Sequence, residues 1–247
     1  MSRALISFEN VCKRYRDGGQ DVVVLDDASF ECEPGVFIGV WGSRRSGKST
    51  LLRLMAGVES PDAGKVSFDG EDLAALSLSR RERLLGKDIG LMVARDWRPR
   101  AGESVVDYVA LSLGSSLASV AQARRAARLA LDRVGMTDHA DAMTDSLSMA
   151  ERMRTALARA VAREPLALLV DEPALVPSLV EREALYALLR KVAREGNSTL
   201  VVASEDMTPL HGAEIVMSIG DGELCSTDER GTIVEFPGGA PIVPPRP

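Results

Sequence analysis

An α/β fold built around a mainly parallel sheet is the class this sequence predicts, on three observations. Short apolar runs alternate with helix-periodic segments along most of the chain. One such run, Val36–Trp41, opens directly into a glycine-bearing loop and an apolar-periodic helix. Another, residues 166–170 (LALLV), ends on two adjacent carboxylates, Asp171 and Glu172.

Taken in order, residues 4–11 (ALISFENV) and 22–32 (VVVLDDASFEC) are rich in β-branched and apolar residues, with turn signals between and after them, and predict strands. Val36–Trp41 is a buried strand, GSRRSGKST a loop, and roughly Ser49–Gly57 a helix. Ser60-Pro61-Asp62-Ala63-Gly64 is a turn, and Lys65–Asp69 a further strand. After a strand at Ile89–Ala94 comes a polar loop with Asp96, Trp97 and Pro99. Residues 103 to about 163 then carry alanine, leucine and arginine at helical spacing almost throughout. A helix near Ser178–Glu195 and a buried strand at Thr199–Ala203 follow the acidic pair. The helical block lies between two sheet strands, so a separate helical lobe over about 95–160 is expected, within one domain of residues 1–236. Residues 237–247 (PGGAPIVPPRP) are dominated by proline and glycine and read as an extended or disordered tail.

Composition bounds the function. A chain of 247 residues buries a real core, as one large domain or one domain with a lobe. A net charge of −6 argues against a nucleic-acid partner, although a phosphate site needs only a few local donors. Cys12, Cys32 and Cys225 form neither a metal pattern nor a disulfide framework, which suits a reducing cytoplasm. No run reaches the ~18 uninterrupted apolar residues of a membrane span, and MSRALISFEN lacks the apolar stretch of a secretory signal. A membrane role would come through a partner.

Gly42-Ser43-Arg44-Arg45-Ser46-Gly47-Lys48-Ser49 matches G-x-x-x-x-G-K-[ST] in full, and Thr50 completes the loop. Its setting, after a buried strand and before a helix, is the one the chemistry requires. Such a loop converges backbone N–H groups on one point, and the helix adds the positive end of its dipole. Lys48 can place a charge on terminal phosphates, and the Ser49 hydroxyl can ligate Mg²⁺. The strand ending in Asp171-Glu172 delivers carboxylates to the sheet edge where α/β ligands bind. With the loop present, Asp171 is expected in the Mg²⁺ shell and Glu172 as the group that polarises an attacking water.

These motifs resemble those of the ATP-binding-cassette (ABC) ATPases over about residues 3–236. The likeness is greatest to the branch that energises lipoprotein-release, macrolide-export and FtsX-type permeases. VCKRYRDG places Tyr15 where that family stacks an aromatic ring on adenine. EDLAALSLSRRERLLGKDIG has the shape of the branch's connector into its glutamine loop. LDRVGMTDHAD and SLSMAERMRTALARAVAREPLALLVDEP follow the spacing of the signature-to-acidic-strand block. The resemblance implies a RecA-like P-loop core, an antiparallel β lobe and an inserted helical lobe. It also implies two such subunits sandwiching ATP and Mg²⁺, each nucleotide between one subunit's loop and the other's signature, at the cytoplasmic face of a membrane permease. The permease would meet a groove near Ala94–Tyr108, with Trp97 and Tyr108 as candidates for that contact and plain packing as an equal alternative for both.

The family pattern is broken at several positions. Where the family signature reads Leu-Ser-Gly-Gly-Gln, this chain has Leu147-Ser148-Met149-Ala150-Glu151, keeping Ser148 as a donor but adding bulk and negative charge. The loop glutamine aligns with Ala94, and the switch histidine with Glu205. A carboxylate ~4 Å from phosphate costs about 4 kcal/mol at an effective dielectric near 20, so Glu205 must point away, be protonated or weaken closure. Leu175-Val176-Pro177-Ser178 replaces the dimer-contact segment, and Arg45 stands where a glycine is usual. Retained binding with impaired hydrolysis, in a heterodimer with a second ABC ATPase subunit of regular motifs, is therefore expected. A homodimer, an ordinary active ATPase and a nucleotide clamp that regulates a partner are the alternatives.

Overall fold

The structure, a computed structural model, describes residues 3–114, 119–173, 176 and 178–228. The expected tail at 237–247, with Leu175 and Pro177, lies outside the described residues. The chain forms two compact units, one from residues up to Arg81 together with those from Val201 onward, the other Glu82–Leu200.

The first unit holds β1 (Ile6–Asp17) and β2 (Gln20–Cys32), an antiparallel hairpin paired from Ile6↔Cys32 to Asp17↔Gln20. Gly18 and Gly19 close it at φ 57 and 87, the doubly positive turn that matches the twist of the flanking strands. Phe8 and Phe30 are directly opposed across the hairpin and stack at 4.4 Å, both buried. After β3 (Phe37–Trp41) and α1 (Lys48–Met55), β4 (Ala63–Phe68) pairs antiparallel with β1 and with the short β5 (Glu71–Asp72), giving a sheet in the order β2-β1-β4-β5. β1 slips register between Glu9 and Cys12, where Asn10 takes φ 50.

Beside that slip, Asp62 accepts from the Arg14 amide at 2.7 Å and from Lys13 Nζ at 3.3 Å. The Arg14 amide first, and Lys13 after it, hold its carboxyl below the usual carboxylate range. A depressed folded-state value means this stabilisation is fully present above the unfolded value of ~3.9 and is lost as pH falls through the folded one. Urea unfolding between pH 6 and pH 3 is expected to show a shallower acid loss in Asp62→Asn than in the parent chain.

The second unit contains β6 (Ile89–Val93), α3 (Val105–Leu113), α4 (Val120–Arg133), α5 (Met149–Val161), β7 (Ala167–Asp171) and α6 (Leu179–Glu195). β6 and β7 pair in parallel, and every residue of β7 is buried. α4 turns Ala123, Ala127, Ala130 and Leu131 inward, a narrow stripe of small residues at helical spacing. The block over 103–163, expected to be almost entirely helical, holds three α-helices among the described residues and leaves α-helical geometry between α4 and α5. Gly135 at φ 69 ends α4, two 3₁₀ turns at Thr137–His139 and Thr144–Ser146 follow, and Met136 and Ala140 are buried where the chain leaves helical geometry. Helical spacing survives there because tertiary burial, not helix, uses the apolar residues.

α2 (Leu78–Lys87) and β8 (Thr199–Ser204) are the elements through which the division between units passes. The first unit ends with β9 (Ile215–Gly220), parallel to β3, and β10 (Glu223–Asp228), antiparallel to β9. Among the described residues, no helix is long and apolar enough to cross a membrane.

Candidate functional site

In the first unit β3 is buried from Phe37 to Val40 and delivers its C-terminal end to Gly42. The loop closes through Ser46 N–H donating to the Ser43 carbonyl at 3.2 Å. Two glycines are sterically required. A Cβ on Gly42 would stand 2.6 Å from the Ile219 carbonyl oxygen, and one on Gly47, at φ 109, 2.4 Å from Val24 Cγ1. Gly47 is also the N-cap of α1 and supplies no side-chain cap, so no side chain of that residue covers the first amides of the helix.

Lys48 is 5% exposed, and its Nζ donates to the Gly42 and Ser43 carbonyls at 2.8 and 2.9 Å. The ammonium is thereby held inside the loop it follows. Ser46 Oγ is buried without a hydrogen-bond partner among the described residues. Arg45 takes φ 65 and is exposed, as is Arg44, and neither makes an ion pair among the described residues. The left-handed region costs a non-glycine residue about 1–2 kcal/mol, so the Arg45 substitution strains the turn while adding charge.

Tyr15 lies beside this loop. Its hydroxyl donates to Glu59 Oε2 and sits 3.4 Å from Thr50 Oγ1, while Arg53 pairs with Glu59 at 3.3 Å. Burial first, then the Glu59 bond, pushes the phenol above its ordinary value. Lys13 Nζ stands 5.4 Å from the ring centroid, and the residue is 36% exposed, so the ring is anchored by its hydroxyl and open elsewhere to a planar partner. Glu59 was not among the residues the sequence singled out; it lies 44 positions from Tyr15, with no local signal to mark it.

The segment aligned with the switch residue belongs to the same unit. Gly42 N–H points to the Ser204 carbonyl at 3.4 Å, and Trp41 Nε1 donates to the Glu205 carbonyl at 3.1 Å. Ser204 Oγ accepts from Asp206 N, and Asp206 Oδ1 from Thr208 N and Oγ1, which closes a tight turn. Glu205 is exposed, which is how its charge is tolerated.

In the second unit Asp171 ends β7, opposite Val93 in register, and its carbonyl accepts from Ala94 N–H at 3.2 Å. The residue is 7% exposed, and its Oδ1 is buried with no hydrogen-bond partner among the described residues. An orphaned, buried carboxylate oxygen suits a hard cation such as Mg²⁺, which takes one or two protein carboxylates and keeps its remaining positions for water and phosphate. Glu172 follows at φ 50, a further non-glycine residue in the left-handed region. Ala94 is 5% exposed and offers only a methyl group.

Ser148 is the N-cap of α5, and Glu151 completes a capping box with it. The S-x-x-E spacing that signals such a box was present in the sequence, where Glu151 registered only as a charge. The Trp97 and Tyr108 rings pack against each other tilted at 49°, centroids 4.7 Å apart, with Arg152 over the first ring at 6.0 Å and Arg159 over the second at 4.6 Å. Tyr108 is 3% exposed and takes the packing role, the alternative to a surface contact for a partner.

A family profile described as ABC transporter matches residues 25–175. The chain is 34% identical over 221 residues to the cell division ATP-binding protein FtsE of Escherichia coli K12, covering 89% of this chain and 97% of that protein. It is 36% identical over 205 residues to the methionine import ATP-binding protein MetN 1 of Pseudomonas fluorescens Pf-5, 82% of this chain, and spans 60% of that relative's length. Among solved structures, the dimeric structure of MJ0796, a bacterial ABC transporter cassette, superposes with a TM-score of 0.82 at 25% identity, covering 92% of this chain and 99% of that one.

Proposed function

Since the chain belongs to the ABC transporter family, as an ATP-binding domain, we propose that it binds Mg-ATP between two nucleotide-binding subunits to drive or gate a membrane permease. We propose further that hydrolysis is slowed by its own side chains and that its partner ATPase is a second, regular subunit. The observation that carries this is the loop at Gly42–Ser49. Two sterically required glycines, the end of α1 left without a side-chain cap and a buried ammonium at 2.8 and 2.9 Å from loop carbonyls form a cup for a polyphosphate.

In this role the loop amides and Lys48 grip the β- and γ-phosphates, and Tyr15 offers its ring to the base. Ser46, with a buried hydroxyl lacking a partner among the described residues, joins them as a donor. Ser49 in the first unit and Asp171 in the second are the residues that would hold Mg²⁺, and the ion would draw charge off the phosphate oxygens. Glu172 orients and polarises the attacking water. Two features slow that step: Ala94 has no polar group to place on the water, and Glu205 brings an anion where the family uses histidine; Met149 with Glu151 crowds the signature that faces the partner's nucleotide. Ser148 is the donor the signature retains. In a heterodimer this chain's loop meets a regular signature, while the partner's loop meets Leu147–Glu151. A purified complex containing two copies of this chain and no other ATPase, by native mass measurement, would count against that assembly.

Glu172→Gln is expected to leave ATP binding intact and to lower permease-stimulated hydrolysis by about 100-fold or more, the usual contribution of a general base. Single-turnover hydrolysis in reconstituted membranes reads this. Unchanged turnover would remove Glu172 from the chemistry.

A further inference from the structure

We propose that Glu59 is a positioning residue for nucleotide binding: it ties the Tyr15 ring to the helix that follows the phosphate-binding loop, so that base and phosphates are gripped by one connected body. The proposal rests on the reading that Tyr15 stacks on the base.

Tyr15 sits where the β1–β2 hairpin leaves its sheet. β1 pairs with β4 from Ile6↔Phe68 to Cys12↔Ala63, and beyond Cys12 the described pairing is with β2 alone, through Tyr15↔Val22 to Asp17↔Gln20. A two-stranded ribbon is only marginally stable by itself, so a ring carried on one keeps its place through contacts off the ribbon. The segment after α1 supplies them. The Ser60 carbonyl and Asp62 accept from Lys13 Nζ at 2.9 and 3.3 Å, and Asp62 also accepts from the Arg14 amide at 2.7 Å. Glu59 acts on Tyr15 itself, since its Oε2 accepts the Tyr15 hydroxyl proton.

Glu59 is in turn fixed to α1. Its N–H and that of Val58 donate to the Arg53 carbonyl at 3.2 and 2.9 Å, and its Oε1 pairs with Arg53 Nη1 at 3.3 Å. The phenol's one proton goes to Glu59, which leaves its oxygen to accept from Thr50 Oγ1 at 3.4 Å. Thr50 and Arg53 are three residues apart and so share a face of α1, the helix whose first residue is Lys48. Phenol, carboxylate, guanidinium and threonine hydroxyl therefore close a circuit between the aromatic ring and the lysine-bearing helix, all within the first unit. An untethered ring loses its freedom when the base arrives, at a cost to affinity; a tethered one has lost it on folding. Other groups hold the phosphates, so the tether acts on affinity for the base.

The test compares calorimetric Kd values for Mg-ATP and for Mg-tripolyphosphate, which has the phosphates without the base, in the full chain and its variants. Tyr15→Phe keeps the ring and removes the hydroxyl, Glu59→Ala removes its acceptor, and Glu59→Gln keeps an acceptor oxygen. Tyr15→Phe and Glu59→Ala are each expected to weaken ATP binding by about fivefold, part of what stacking on a base supplies, and to leave tripolyphosphate binding unchanged. The double variant is expected to bind ATP no more weakly than either single one, because both cut the same link. Glu59→Gln is expected to bind ATP as the parent chain does. ATP affinity unchanged in Glu59→Ala, loss of ATP and tripolyphosphate binding alike, or losses that add in the double variant would overturn the role given to Glu59. Tyr15→Ala with ATP affinity equal to the parent's would instead overturn the base-stacking reading beneath it.

Discussion

Lys48→Ala is expected to weaken ATP binding by about 30-fold or more while the protein still folds. The lysine is the one cation buried in the loop, and its ammonium is positioned by the Gly42 and Ser43 carbonyls. When a triphosphate enters, that charge is already in place and largely desolvated. Truncating one partner of a desolvated, hydrogen-bonded charge pair costs ~2–5 kcal/mol, or roughly 30-fold to several thousand-fold in Kd. The cost to folding is smaller. Two carbonyls lose a donor at the edge of a loop that water can reach, about 1 kcal/mol each. Calorimetric titration with Mg-ATP, paired with a thermal melt, separates the two effects. Affinity equal to that of the parent chain would remove the loop from nucleotide binding and with it the functional assignment.

Gly64→Ala is expected to give the largest loss of stability, about 3 kcal/mol, with no contact to the nucleotide loop. Gly64 lies in β4 at φ 80, and a Cβ there would stand 2.2 Å from the Asn10 carbonyl oxygen and 2.5 Å from that of Glu9. Both atoms are backbone, at the register slip of β1, and a side-chain rotation cannot relieve them. The positive φ contributes about 1 kcal/mol and the forced displacement about 1–3 more. For a chain of this size that lowers Tm by roughly 10 °C. A differential scanning measurement showing a fall of less than about 3 °C would mean that the β1–β4 pairing yields more readily than this geometry allows.

Some of this protein was legible in its amino acids because the physics involved is local. Apolar runs of about five residues ending in glycine or in paired acids mark buried strands wherever they occur. The spacing from Gly42 to Ser49 encodes a loop whose shape depends on two residues without a Cβ and a lysine one position beyond. Asp171 is legible for the same reason, as the acid that ends an apolar strand, although its unpartnered oxygen is a fact of burial. The box between Ser148 and Glu151 spans three residues and was equally open to reading.

The remainder was decided by which distant segments the folded chain brings together. Glu59 reaches the Tyr15 hydroxyl across 44 positions, and His139 reaches Glu151 from the 3₁₀ turn after α4. The stretch from 134 to 148 repeats apolar residues at helical spacing, yet Gly135, the bridge between Ser104 and Met143 and the burial of Met136 and Ala140 draw it out of helix. β9 and β10 are short, and β9 becomes a strand by lying parallel to β3, a partner more than 170 positions earlier in the chain. Periodicity and steric demand act between neighbours along the chain, so they can be read from order alone. Pairing across the fold depends on where loop entropy, burial and hydrogen bonding balance, and only the assembled tertiary structure determines that.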